Sequence, residues 1–218
     1  MEIEHVCFDL DGTIVKSDKT IYKSTLKAME DLNINGSIDE KQFNQMIGMH
    51  FVDIFEVMKI DVPDFEEFIR IYKSHYFDFI NESVLYPDIE EILAYLREEK
   101  KIKISLLTTK GQDQAEKIIN YFYLDKFFDF IMGRREGVEH KPSPEPLLMI
   151  CDDLNVKSAN TMMIGDTEID IKCGKNAGAI TCAVSYGFRS EETLIKNKPD
   201  YIYNSVKELQ QFLSDGSN

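Results

Sequence analysis

The sequence has little of what commits a chain to a nucleic acid, a membrane, a disulfide framework or a zinc site. Basic residues are outnumbered, 25 Lys and Arg against 39 Asp and Glu, which leaves a formal net charge of −14. Broad nucleic-acid and anionic-membrane surfaces need clustered cations, so the balance argues against both. It does not exclude a small anionic substrate, because a local site can be positive in a negative protein. The four cysteines, Cys7, Cys151, Cys173 and Cys182, form no C-x-x-C pair and are expected to be reduced thiols in the core. His5, His50, His75 and His140 are scattered, with no two at the spacing of zinc ligands. No apolar run approaches the roughly 20 residues that span a bilayer, and the first residues show no secretory signal pattern. A reducing cytoplasm is the expected compartment. Repeats and low-complexity segments are also absent, and no motif specifies an oligomeric state.

What remains is an ordinary globular composition, 43% hydrophobic and 29% charged in 218 residues. That length suits one substantial domain, or a domain with a smaller insert. "IEHVCFD", from Ile3, is short and apolar and reads as a buried strand. From Asp18 the period becomes helical. Ser17 and Asp18 offer an N-cap, and Ile21, Thr25, Leu26, Met29 and Leu32 recur at steps of three and four. A second helix is expected in "SIDEKQFNQMI", where Ser37 and Glu40 are spaced as a capping box. Phe65, Phe68, Ile69, Tyr72, Tyr76 and Phe79 mark a third, whose aromatic stripe is packing surface. After Pro87 helices alternate with the strands "KISLLTT", "FFDFIMG", "ANTMMIGD", "AITCAVSYG" and "DYIYN". Alternation of this kind predicts a Rossmann-like α/β fold, a parallel sheet with helices on both faces. The expected core is 1–15 with 84–218, and 16–83 form an inserted all-helical domain.

In such a sheet, ligands bind beyond the carboxyl ends of the strands. The polar residues worth notice fall there. "FDLDGT" places Asp9 and Asp11 at the end of the first strand, "ISLLTTK" ends in Thr108, Thr109 and Lys110, "HKPSPEP" carries Lys141, and "IGDTEID" carries Asp166 and Asp170. Two like charges side by side are unfavourable unless a proton or cation lies between them. Oxygen donors of this kind suit Mg²⁺, which takes a few carboxylates, waters and a substrate phosphate. A hydroxyl and an ammonium beside it would supply donors to a phosphoryl group. Singly, each motif is a strand end, a turn or a helix entry; in this order, at successive strand ends, they point to one site.

"FDLDGT", "LLTT", "HKPSPEP" and "IGDTEID" resemble the four motifs of the haloacid dehalogenase superfamily, spaced as in its phosphatases, over nearly the whole chain. The helical insert resembles that family's cap, and "GDTEIDIKCGKNAGAITCAVSYGF" with "PDYIYNSVKEL" is similar to the phosphoglycolate phosphatase-like branch. The resemblance implies a Mg²⁺-dependent phosphomonoester hydrolase acting on a small phosphorylated metabolite. Asp9 would attack phosphorus and become an aspartyl phosphate. Asp11 would protonate the leaving oxygen and then deprotonate the hydrolytic water. Mg²⁺ would be held by Asp9, the Asp11 backbone carbonyl and Asp166, with Asp170 orienting a metal-bound water or the lysine. Thr108 and Lys141 would bind phosphoryl oxygens, with Thr109 beside them. Lys16 stands where related sequences often carry an acid, and is either a solvated hinge lysine or a cation for an anionic substrate. "IGMHFVDIF" resembles the cap segment that faces the site, so Gly48 and His50 are candidate substrate contacts.

Two alternatives stay open from sequence. One is a sugar phosphomutase of the same superfamily, like β-phosphoglucomutase, although no Arg lies near "GMHF". The other is a phospho-acceptor or binding module with no turnover, against which the retention of both Asp9 and Asp11 speaks.

Overall fold

A computed structural model of the chain describes residues 3–215. Residues 1, 2 and 216–218, which the expected core range includes, lie outside the described residues. The chain divides into two compact units, one of Val15–Val84 and the other formed by the chain on either side, through Ile14 and from Leu85.

The larger unit begins with β1 (His5–Phe8), buried at every position. A short strand β2 (Val15–Lys16) pairs with β3 (Val84–Leu85). The strands β4 (Lys103–Gly111), β5 (Phe130–Arg134), β6 (Thr161–Gly165), β7 (Ile180–Val184) and β8 (Tyr201–Tyr203) complete the larger unit's sheet. Its order is β5-β4-β1-β6-β7-β8, and every pairing is parallel. Parallel strands covered on both faces read as unbroken apolar runs, which is why "VCF" and "MMI" are legible as strands. The register aligns Phe8 with Leu106 on one side and with Ile164 on the other. β1, β4 and β6 therefore run level, and their carboxyl-terminal loops gather at one edge. The chain first adds strands on the β4 side of β1 and then on the β6 side. That reversal makes the switch point at which such sheets bind ligands.

Crossover helices follow from the parallel pairing. They are α5 (Ile89–Ala94, continued by a π turn through Glu99), α6 (Gln112–Tyr121), α7 (Glu145–Asp153), α8 (Glu168–Asn176) and α9 (Glu191–Lys196), and α10 (Val206–Asp215) follows the last strand. Leu147 and Ile150 of α7 and Cys173 of α8 pack with Cys7, Leu107, Met132 and Met163 of the strands. All four cysteines are buried free thiols, in keeping with their lack of paired spacing.

The inserted unit contains α1 (Asp18–Asp31), α2 (Glu40–Asn44), α3 (Phe51–Met58) and α4 (Phe65–Tyr76). The aromatic stripe of α4 packs on α3: Phe68 meets Phe55 edge-on at 5.0 Å and Phe51 at 5.2 Å, and Tyr72 meets Phe51 at 4.7 Å. The capping box expected at Ser37 is not formed. Asp39 caps α2 instead, its carboxylate accepting the Gln42 amide at 2.7 Å. Asp and Ser cap about equally well, and Asp39 is the residue with extended backbone directly before the first helical turn. Among the described residues no helix is long and apolar enough to cross a membrane.

Candidate active site

Asp9 comes directly after β1, and its backbone N–H continues the ladder by donating to the Ile164 carbonyl at 2.8 Å. The side chain is buried and accepts from Lys141 Nζ at 2.5 Å. The same ammonium donates to Asp170 Oδ1 at 2.6 Å and to the Leu107 carbonyl at 2.9 Å. An ammonium has three protons, and all three are placed. Lys141 is 3% exposed, a depth at which a charge survives only when paired in this way.

Asp170 gives its other oxygen, Oδ2, to the start of its own helix. It accepts the Thr167 amide at 3.0 Å and the Thr167 hydroxyl at 2.6 Å, closing a capping box on α8. Asp166 comes directly after β6 and is fully buried. It accepts from the Phe188 amide at 2.7 Å and, at 3.5 Å, from the Thr13 hydroxyl. The turn after Asp11 must pass close to it. Gly12 has φ +83, and a Cβ there would lie 2.2 Å from Asp166 Oδ2. Gly187 is as tight, with a Cβ meeting Asp166 Cβ at 2.4 Å. Both positions exclude a side chain. Tyr186 closes this corner by donating its hydroxyl to the Thr13 carbonyl at 3.0 Å and packing on Tyr86.

Carboxylate oxygens of Asp9, Asp166 and Asp170 all lie within 4.8 Å of one another. Against these three acids Lys141 supplies one positive charge. Burial pushes the Asp9 carboxyl up to about 7; Lys141 opposes the shift, and the charges of Asp170 and Asp11 add to it. Burial also holds Asp166 well above the usual carboxylate range, reinforced by Asp9 and Asp170 and opposed by the Phe188 amide and Arg189. For Lys141, burial acts downward but the Asp170 and Asp9 carboxylates outweigh it, so the ammonium is held above its ordinary value. The cluster is short of a cation. Its donors are hard oxygens, the set that suits Mg²⁺ rather than a soft metal. None of the described hydrogen bonds occupies Asp9 Oδ2, while both oxygens of Asp170 are committed.

Asp11 has a cation of its own. Lys110 Nζ lies 3.0 Å from Asp11 Oδ2, with the two side chains 9% and 11% exposed. Thr108, 3% exposed, accepts the Lys110 amide at 3.2 Å, a bond that leaves the hydroxyl proton to be donated. Thr109 is half-buried next to it. Lys16, Gly48 and His50 belong to the inserted unit. Lys16 is exposed on β2, Gly48 has φ +101, and His50 precedes α3 without a side-chain cap bond. The geometry adds the Phe188 amide, Thr13 and the Lys110–Asp11 pair to the residues chosen from sequence. Lys110 and "SYGF" are visible in the sequence as strand-end residues, with nothing local to say what they meet.

The family model described as haloacid dehalogenase-like hydrolase matches residues 6–184. Pyrophosphatase PpaX of Halalkalibacterium halodurans is 34% identical over 212 residues, covering 96% of each chain. A haloacid dehalogenase-like family hydrolase from Streptococcus pneumoniae superposes with a TM-score of 0.86 at 25% identity, covering 97% of this chain and 98% of that one. A protein of Haemophilus somnus described as a predicted phosphoglycolate phosphatase gives 0.87 at 24% identity, covering 98% and 99%; at that identity it speaks for the fold alone.

Proposed function

The chain belongs to the haloacid dehalogenase-like hydrolases and is a phosphatase among them, and from that premise we propose that it is a Mg²⁺-dependent phosphatase of a small phosphorylated metabolite, working through an aspartyl phosphate on Asp9. The observation that supports this most is the buried cluster itself. One oxygen of Asp9 is pinned by an ammonium whose other protons are all placed, beside a buried acid, Asp166, held well above the usual carboxylate range by burial and by the charges of Asp9 and Asp170.

In this assignment Lys141 fixes Asp9 through Oδ1, and Oδ2 is the nucleophile. Its bond to phosphorus forms as the phosphorus–oxygen bond of the substrate breaks. The electron pair stays on the leaving oxygen, which takes a proton from Asp11. Asp11 then removes a proton from water, whose oxygen attacks phosphorus and returns Asp9 as phosphate departs. Division into two displacements lowers each barrier. Thr108 donates to a phosphoryl oxygen, and Asp170 holds Lys141 in place. Mg²⁺ would be held by Asp9, Asp166 and the Asp11 carbonyl and would supply the positive charge that phosphoryl transfer and this cluster both need. Thr109 stands next to Thr108 for the same oxygens, while Lys16, Gly48 and His50 are substrate contacts proposed from the resemblance alone. Pyrophosphate, named for the relatives, is the first substrate to try.

The test is release of nitrophenol from p-nitrophenyl phosphate with Mg²⁺ and with EDTA, and then turnover of pyrophosphate and a panel of metabolite phosphates. Turnover that needs Mg²⁺, falls by roughly 10³-fold in Asp166→Ala and vanishes in Asp9→Asn is the expected result. Turnover independent of the metal, or surviving in Asp9→Asn, would show the site to be misassigned.

A further inference from the structure

The chemistry just assigned uses neither Arg189 nor Glu168, yet the two are joined beside Asp166. The segment between β7 and α9 packs on Asp166 and is tied down at both ends. Tyr186 donates its hydroxyl to the Thr13 carbonyl at 3.0 Å. At the other end Arg189, 8% exposed, reaches across to Glu168, the first residue of α8. Its Nε donates to Glu168 Oε2 at 2.9 Å and its Nη2 to Oε1 at 3.4 Å, a planar fork on both carboxylate oxygens. Glu168 is a fixed anchor, because Thr167 and Asp170 hold the start of α8 through the capping box. Between the two ties the backbone passes hard against the acid. A Cβ on Gly187 would lie 2.4 Å from Asp166 Oδ2 and 2.4 Å from the Gly12 carbonyl oxygen. Phe188, the residue before Arg189, donates its amide to Asp166 Oδ2 at 2.7 Å. The other oxygen, Oδ1, has a longer contact, 3.5 Å to the Thr13 hydroxyl.

We propose that Arg189 is a positioning residue: by gripping Glu168 it holds the Phe188 amide on Asp166 Oδ2, which leaves Oδ1 as the oxygen that Asp166 offers to a divalent cation. The inference rests on the assignment of Asp166 to the metal above. A carboxylate turns broadly about its last bond and can present either oxygen. A backbone hydrogen bond to one of them removes that freedom, the usual task of a group that bonds a metal ligand from behind. The amide does this only while the backbone at Phe188 stays in place. Residues 185–190 form no strand or helix, and hydrogen bonds in such segments open locally at little cost. The fork on Glu168 supplies the hold, one residue away. Arg189 acting as a bare positive charge would do the opposite. A cation near the site repels Mg²⁺, so its removal would tighten binding, whereas release of the amide would weaken it.

Two measurements test this without substrate. Amide hydrogen exchange followed by NMR, in EDTA, reads the Phe188 amide directly. Arg189→Met should speed exchange at Phe188 by at least about 10-fold, while the amides of β7 keep their wild-type rates and report an intact fold. Glu168→Ala should do the same, because it removes the other half of the grip, and Arg189→Lys, which keeps a donor, should fall between. Arg189→Lys carries the test if β7 also loses protection in Arg189→Met. Calorimetric binding of Mg²⁺ should weaken by roughly 10- to 100-fold in Arg189→Met, the usual effect of losing a group that orients a metal ligand. Unchanged exchange at Phe188 in Arg189→Met or Glu168→Ala, or Mg²⁺ binding that is unchanged or tighter in Arg189→Met, would each overturn the proposal. Asp166→Ala run alongside separates the two levels. Loss of Mg²⁺ binding there, with wild-type binding in Arg189→Met, overturns the proposal alone; no binding by wild type, or binding retained in Asp166→Ala, overturns the assignment of Asp166 to the metal as well.

Discussion

Lys141→Met tests the electrostatics of the cluster without any substrate. The substitution keeps a long unbranched side chain and removes the ammonium, so Asp9 and Asp170 face each other with their shared counter-charge gone. Removing one partner of a buried ion pair costs about 3–5 kcal/mol, because the remaining charge is left uncompensated. Against a domain stability of about 5–15 kcal/mol the variant should still fold. The pH dependence is the sharper signature. Asp9 is raised from its ordinary 3.8 to about 7, so between those values the folded protein holds a proton that the unfolded chain does not. The wild-type contribution of this group is greatest at low pH, is lost as pH rises from about 4 to 7, and is flat above. Lys141 is what pulls that value down. Without it the window extends above pH 7, and the variant goes on losing stability where the wild type no longer does, by at most about 1.4 kcal/mol per pH unit. Urea unfolding followed by circular dichroism, in EDTA, at pH 6.5 and pH 9 measures this. A destabilisation below about 1 kcal/mol, or one equal at the two pH values, would refute the picture of an acid-rich cluster held together by one lysine.

His5, fully buried between Ser105 Oγ at 2.7 Å and Thr161 Oγ1 at 3.1 Å, is pushed by burial from 6.5 down to about 4. Its stabilisation should be complete above pH 6.5 and fall by about 3 kcal/mol as pH drops to 4, a component that urea unfolding should find missing from the profile of His5→Gln. Gly12→Ala would place a methyl group 2.2 Å from Asp166 Oδ2 at φ +83, so a loss of about 1–3 kcal/mol in thermal unfolding and at least a tenfold fall in turnover are expected; an unchanged melting point would contradict the close approach. Asp11→Asn should give a burst of nitrophenol of at most one equivalent and then slow turnover, because the nucleophile remains while the base is gone. Mass spectrometry of the quenched protein should locate the phosphoryl group on Asp9, and a label on Thr108 would reverse the roles proposed.

The strand ends are readable because two regularities coincide there. β1 and β6 are buried and apolar up to their last residues, so the first charged residue after each marks where it stops, and the two lie in register as parallel neighbours. Asp9 after "VCF" and Asp166 after "MMIG" are thus placed by local sequence plus one topological rule. Pairings across strands are not encoded that way. Nothing near Lys110 shows that it meets Asp11 and not Asp9, nor that the Phe188 amide turns back onto Asp166, because both depend on how separate loops cross. The cap of α2 is ambiguous for another reason. Ser37 and Asp39 are comparable acceptors, and the choice rests on where the backbone leaves its extended course. α9 is a single short helix between β7 and β8, and β2 with β3 is a pair of two-residue strands; neither is long enough to impose a period.

The central place of β1 sets the order in which the protein can be assembled. His5 pairs with Lys103 on one side and Thr161 on the other, and its ring reaches a side chain 156 residues away. At the usual 5–20 residues per second, a ribosome takes on the order of ten seconds or more to deliver that partner after β1 has been made. The helices of Val15–Val84 find their contacts within their own unit meanwhile, at short separations that close quickly. β1 waits as an apolar strand with two open edges until β4 arrives and with one open edge until β6 does, so the carboxylate cluster comes into existence only near the end of synthesis. Chains arrested before residue 160 should accordingly protect the inserted unit from protease while leaving β1 open to cleavage, and a substitution that slows pairing of β1 should lower yield more than it lowers the stability of the finished protein.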